Sequence, residues 1–188
     1  MRPFRRHDEP AVLLDHGARW TAAWLERGSD FRWPQLAGLP ANQHLEPLLL
    51  AQTDDHCSYC DHFPLRVEGR PEIDHFQPKS LFPELGFAWT NLYAACRSCN
   101  AAKREQWDVD LLRPDEAGYT FWRYFEFQTR TGRILPRPDA PAADRQRAAI
   151  TIRVFGFNDG NRPRARLDAI RAPGRDGPYQ FLGTIDTR

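Results

Sequence analysis

The residues best equipped for chemistry lie between positions 57 and 103. Four cysteines fall there as two pairs, Cys57-Ser58-Tyr59-Cys60 and Cys96-Arg97-Ser98-Cys99, with Asp74-His75 and Asn91 between them and Asn100 directly after. Zn2+ takes four soft or borderline donors in a tetrahedron, and a Cys-x2-Cys knuckle turns two thiolates toward one ion. Two knuckles complete a set of four thiolates with no open position, which assigns the ion a structural rather than a catalytic place. The charged N-terminus lacks the apolar stretch of a secretory leader, so a cytoplasmic, reducing setting is expected. There, paired cysteines bind metal in preference to closing disulfides. Structural free thiols and a redox pair are the readings that spacing alone leaves open. His56 and His62 flank the first knuckle and could replace a thiolate, but four cysteines already fill the tetrahedron. His7, His16 and His44 fit no pattern.

The second set of residues suits phosphodiester cleavage. That reaction needs a base to activate water and a divalent cation to stabilise charge on the phosphorus oxygens and the leaving group. Asp74 offers an anionic oxygen ligand, and beside it His75 offers an imidazole whose ordinary pKa lies near neutrality. Asn100 offers a neutral amide oxygen, suited to a hard cation such as Mg2+ or Mn2+. Two protein ligands leave such a cation open to water and to phosphate oxygens. One geometric condition follows. Neighbouring residues on a regular strand point to opposite faces, so the strand carrying Asp74 and His75 must end or bulge there.

The elements that must hold these groups can be read from periodicity. Residues 71–76 predict a short strand stopped by Pro78, residues 92–95 a second strand, and residues 100–105 the start of a helix. Ahead of them, Asp8 can cap a helix in which Leu13, Leu14, Ala18, Trp20, Trp24 and Leu25 recur at helical spacing until Gly28. Trp20 and Trp24 on one face read as core, with partner docking as the alternative. Residues 29–43 read as an irregular connector, and residues 41–53 as a helix burying Leu45, Leu48 and Leu49. Beyond the site, the aromatic, β-prone residues 119–127, the Thr129-Arg130-Thr131-Gly132 turn and a return strand at 133–135 predict a hairpin. Helices are expected over 141–155, with Ala148, Ile152 and Phe155 on one side, and over 162–171. A loosely structured tail is expected from Ala172. The expected fold class is α+β, mostly helical. Its organisation reads as an N-terminal helical region at 1–53, a metal-stapled core at 54–112, and a hairpin with a basic helical region at 113–188.

Composition bounds the rest. With 188 residues, 41% of them hydrophobic, the chain can bury a substantial core. No apolar run approaches the roughly 20 residues that cross a bilayer as a helix. The net charge is only +1, but it is unevenly placed: residues 1–119 carry 13 Arg and Lys against 18 Asp and Glu, and residues 120–188 carry 13 Arg against 7 Asp and Glu. A basic C-terminal third suits a phosphate backbone. A solvated Arg-rich surface explains it equally well, since 24 of the 26 basic residues are Arg.

Residues 57–103, with Glu72-Ile73-Asp74-His75-Phe76-Gln77-Pro78-Lys79-Ser80, Asn91-Leu92 and Cys96-Arg97-Ser98-Cys99-Asn100-Ala101-Ala102-Lys103, resemble the HNH nucleases with a ββα-metal finger. The resemblance implies that His75 is the general base and that Asp74 and Asn100 hold the catalytic cation. It also implies that Asn91 braces the loop that orients the base, and that Cys57, Cys60, Cys96 and Cys99 bind structural zinc. Arg97 and Lys103 become candidate phosphate contacts. The flanks are similar to HNH proteins of Septu-type and retron-linked anti-phage systems. That likeness rests on Met1-Arg2-Pro3, His75-Phe76-Gln77-Pro78-Lys79-Ser80, Trp89-Thr90-Asn91-Leu92, Gly132-Arg133-Ile134-Leu135-Pro136 and the stretch from Ala149 to Asn158. Phe157 stands where an aliphatic residue is more usual, and the chain is short. The resemblance implies an endonuclease acting on nucleic acid, DNA foremost, in antiviral defence, together with an ATPase partner. The alternative is a catalytically silent zinc module that binds nucleic acid or assembles a larger complex.

Overall fold

The computed structural model describes residues 1–28, 30–68, 71–171 and 178–179. The tail expected to be loose from Ala172 onward lies, but for those last two, outside the described residues. Among the described residues, helices surround three separate two-stranded antiparallel sheets, in agreement with the expected α+β class. No helix among them is long and apolar enough to cross a membrane.

The first helix, α1 (Ala11–Arg27), buries Leu13, Gly17, Trp20 and Trp24 and leaves Leu14 and Leu25 exposed. Pro10, not Asp8, occupies its N-cap, and no side chain caps it. Proline lacks the N–H that a helix start would leave unpaired, so the chain enters the helix there without a capping carboxylate. Trp20 and Trp24 are 7% and 8% exposed and pack on Phe87, with ring centroids at 5.6 and 6.4 Å. The tryptophan face is therefore core and not a docking surface. Residues 29–43 are not wholly irregular: Gln35–Leu36 (β1) pairs with Leu39–Pro40 (β2) in a small hairpin. Helix α2 (Ala41–Ala51) then buries Leu45, Leu49 and Leu50, whereas Leu48 faces outward at 39% exposure. A one-turn helix, α3 (Leu65–Glu68), follows the first cysteine pair.

Strands β3 (Glu72–His75) and β4 (Leu92–Ala95) form the expected central hairpin, in a register that pairs Asp74 with Tyr93 and His75 with Leu92. Every residue of β4 is buried. Helix α4 (Arg97–Lys103) begins three residues earlier than its apolar pattern suggested, because Cys96 Sγ accepts from the Cys99 amide and acts as the cap. Asn100 thus sits in the second half of the first turn. The N-terminal segment is strapped across this unit: Arg6 donates to the carbonyls of Trp89 and Leu92 and lies 4.4 Å over the Tyr93 ring.

On the other side, the segment expected as strand from 119 first makes a helical turn, α5 (Phe121–Tyr124), before β5 (Phe125–Phe127). Phe121 and Tyr124 are both buried, and a separation of three is the spacing of a helical face and not of a strand. Strand β6 (Ile134–Pro136) closes the predicted hairpin, whose turn needs Gly132: its φ is 71°, and a Cβ there would collide with the Pro163 carbonyl. Helix α6 (Ala142–Val154) and helix α7 (Arg162–Arg171) match the expected spans closely. Phe155 follows α6 and stacks on Tyr59 with ring centroids at 3.9 Å. Phe157, buried completely, stacks on Phe155 in turn. This aromatic column carries the C-terminal region onto the back of the β3–β4–α4 unit.

Candidate active site

Strand β3 runs in regular register to His75 and ends there, without a bulge. Termination at His75, ahead of Pro78, meets the condition that the strand end or bulge there. Asn91 does the holding: its Oδ1 accepts from the Gln77 amide at 2.8 Å, and its Nδ2 donates to the carbonyls of Gln77 and Leu85. Both ends of the intervening loop are thereby closed on one buried side chain, and the loop's Gly86 carbonyl is set facing the end of the strand.

His75 meets that carbonyl. Its Nε2 lies 2.9 Å from the Gly86 oxygen, and a carbonyl can only accept, so Nε2 carries the proton and Nδ1 carries the lone pair. Nδ1 makes no hydrogen bond among the described residues, which leaves it the basic nitrogen. The ring is 6% exposed; Trp33 stacks beside it at 5.8 Å and Phe31 meets it edge-on at 5.2 Å. Burial pushes the pKa down to about 4; the Gly86 hydrogen bond works against this and the charge of Lys79 works with it. The imidazole is therefore neutral near pH 7, the form that can take a proton. Phe31 and Trp33, the aromatic wall of this site, come from the stretch that read as a connector. Nothing in its local pattern marks it as part of the site.

Asp74 is buried on the other side of the strand end. Tyr59 donates to its Oδ2 at 2.6 Å and Lys103 Nζ approaches its Oδ1 at 3.1 Å. Burial pushes its carboxyl up, while Lys103 and Tyr59 pull it back. Lys103 is completely buried, and its ammonium also donates to the His75 carbonyl at 2.6 Å. That placement corrects the phosphate contact expected of Lys103: a fully enclosed ammonium with two internal acceptors holds the strand end, not a ligand. Lys103→Met removes the cation and leaves Asp74 buried without its charge partner, which costs about 3–5 kcal/mol. A urea titration of the variant checks this; a midpoint equal to that of the wild type would contradict it.

One cavity of about 380 Å3 brings the predicted groups together: Asp74, His75, Asn100 and Arg97 line it, with Glu72, Lys79, Arg104 and Glu105. Arg97 and Arg104 are exposed and Lys79 is half-buried. These are the cations available to a bound anion. Arg104 has no spacing signal of its own, and Lys79 lies within the Glu72–Ser80 stretch without a role that its spacing marks. Ser80 and Glu105 are hydrogen-bonded across the cavity's edge. The donor set of Asp74 and the Asn100 amide oxygen is all oxygen, the chemistry a hard divalent cation takes.

The four cysteines form a separate centre. Their Sγ atoms lie within 4.8 Å of one another, and none is in a disulfide. A tetrahedron with Zn–S bonds of the usual length has S···S edges of about 3.8 Å, so the cluster fits the ion; Cys60 and Cys96 are 3.6 Å apart. Three are buried and Cys96 is half-buried. Backbone amides of Cys96 and Cys99 point at the Sγ atoms of Cys57 and Cys96. From α7, Arg162 reaches Cys99 Sγ at 3.6 Å. Such donors offset the negative charge that four thiolates bring to one divalent ion. His56 takes no part in the cluster; its Nδ1 pairs with Asp61 at 3.0 Å and its ring stacks on Phe63. His62 also stands outside the cluster, though it lines the larger cavity beside it.

Two knuckles, a hairpin and a helix thus enclose an Asp-His-Asn arrangement. Residues 57–106 match the family model for the HNH endonuclease. The chain carries an HNH domain. Over 99 residues it is also 29% identical to the Septu protein PtuB of Bacillus thuringiensis, an alignment that takes in 53% of this chain and 35% of that protein. The chain spans about a third of the length of the curated relative it matches. The HNH domain accounts for β3, β4 and α4 with their cysteines, and the other described elements pack around it.

Proposed function

We propose that this protein is a metal-dependent endonuclease that hydrolyses phosphodiester bonds, with DNA as the favoured substrate, and that it serves antiviral defence. The observation that carries the reading is His75: a neutral imidazole with its proton fixed on Nε2 by Gly86 and its lone pair on Nδ1, lining one cavity with Asp74 and Asn100. In this reading Asp74 and Asn100 hold Mg2+ or Mn2+, which supplies charge stabilisation for the phosphate. His75 takes a proton from water, and Asn91 keeps the loop that carries Gly86 in place. Arg97, with Lys79 and Arg104, faces the substrate's phosphates. Zinc on Cys57, Cys60, Cys96 and Cys99 is structural. The likeness to a Septu protein supports a defence role and a partner within such a system, an ATPase in our reading.

Plasmid nicking by the purified chain in Mg2+ or Mn2+, with and without the product of a neighbouring gene, tests this. Divalent-dependent nicking in either arm is the expected result. No nicking in both arms, with nucleic acid still bound, would instead establish a silent zinc-dependent binding module.

A further inference from the structure

We infer that Glu72 is a positioning residue of the cation site, acting through Asn100; this rests on the cation site proposed above. Glu72 opens β3 and lies two residues from Asp74, on the same face of the strand. It is half-buried and lines the cavity. Its Oε2 accepts from Asn100 Nδ2 at 2.6 Å, a short, charge-assisted bond.

The consequence follows from the chemistry of an amide. Asn100 has one end that can bind a cation and one that repels it, and the two interchange by rotation of its terminal torsion. An ionised carboxylate only accepts, so Glu72 selects the rotamer in which the NH2 group faces β3. The planar amide then directs Oδ1 away from Glu72. Without Glu72 the amide is free to turn, and in half of its orientations it presents N–H groups to the cation. Asp74 has no such ambiguity, because its oxygens are equivalent. Tyr59 and Lys103 fix Asp74 from below, and Glu72 does the corresponding work for Asn100.

Mn2+ binding to zinc-loaded protein without nucleic acid, followed by the electron paramagnetic resonance of free Mn2+, tests the assignment apart from cleavage. Glu72→Ala is expected to weaken Mn2+ binding about 10-fold or more. In an Asn100→Ala background the same change is expected to have little further effect, since the two act as one unit. Glu72→Gln keeps an acceptor toward the amide and is expected to recover most of the affinity. An equal loss from Glu72→Ala in both backgrounds would overturn the inference, making Glu72 a ligand or a remote charge. So would Gln as weak as Ala. Loss with Asn100→Ala but none with Glu72→Ala would overturn the role of Glu72 alone. Mn2+ affinity unmoved by Asn100→Ala and Asp74→Ala would remove the cation site and the Glu72 assignment together.

Discussion

His75→Ala is expected to reduce cleavage by about 100- to 10,000-fold, the range that removal of a general base produces, while zinc content stays at the wild-type level. The separation of effects follows from geometry. His75 is the last residue of β3 and contacts Gly86, Phe31 and Trp33 through its ring, and none of these belongs to a cysteine knuckle. The truncation leaves a cavity within the aromatic wall, which costs about 2 kcal/mol and lowers the melting temperature modestly without unfolding the domain. Lys103 binds the His75 carbonyl and not its ring, so the strand end keeps its anchor. Nicking of supercoiled plasmid, under conditions in which the wild type cuts, gives the activity. Circular dichroism melting and zinc determination on the same preparation give the rest. Wild-type cleavage by His75→Ala, free of contaminating nuclease, would remove the imidazole from the mechanism.

The parts of this molecule that were legible in advance are those whose signal is local. β3 and β4, the hairpin around Gly132 and helix α7 each carry their own punctuation: Pro78, a Thr-Arg-Thr-Gly turn, and the Asn158-Asp159-Gly160 break. Where the outcome is set by tertiary packing, local pattern misled. The segment at 121–124 is aromatic enough for a strand, yet it makes a helical turn that buries Phe121 and Tyr124. α4 starts early because a thiol, a residue type with no cap propensity, serves as its cap. The two-residue strands β1 and β2 are too short to show a period at all.

The site divides in the same way. Asp74, His75, Asn91, Asn100 and the cysteines stand out in the sequence because their types and spacing interlock. The structure brings Asp74, His75 and Asn100 to one cavity and places Asn91 behind it. Lys103 was picked out by the same pattern but given the wrong task, since burial of a lysine cannot be read from its neighbours in sequence. Phe31, Trp33 and Arg104 enter by folding alone. A motif names residues by type and spacing; the aromatic wall that desolvates His75 and the basic rim of its cavity belong to the fold.

Loss of zinc should have the opposite signature from loss of His75: fold, metal and cleavage disappear together. Structural zinc contributes about 10–16 kcal/mol in small metal-dependent folds, as much as the entire stability of a typical domain at about 5–15 kcal/mol. The local structure shows why so much depends on it here. β4 leads directly into Cys96, Cys96 caps α4, and the first knuckle is tied to β4 through the Ser58 amide and the Ala94 carbonyl at 2.9 Å. Without an ion, the four thiols cannot all ionise: hydrogen bonds from its neighbours pull Cys96 down while burial pushes Cys57 and Cys99 up. A divalent cation resolves that conflict by taking all four as thiolates. Cys99→Ala is therefore expected to bind no zinc, to lose the cooperative melting transition of the wild type, and to show no cleavage. α4 carries both Asn100 and Lys103, so its release dismantles the proposed cation site and the anchor of Asp74 at once. Zinc released per chain, read with a chromophoric indicator alongside a circular dichroism melt, checks the result. A Cys99→Ala protein that melts at the wild-type temperature would show that apolar packing, the Tyr93–Tyr59–Phe155 column foremost, holds the domain without the ion.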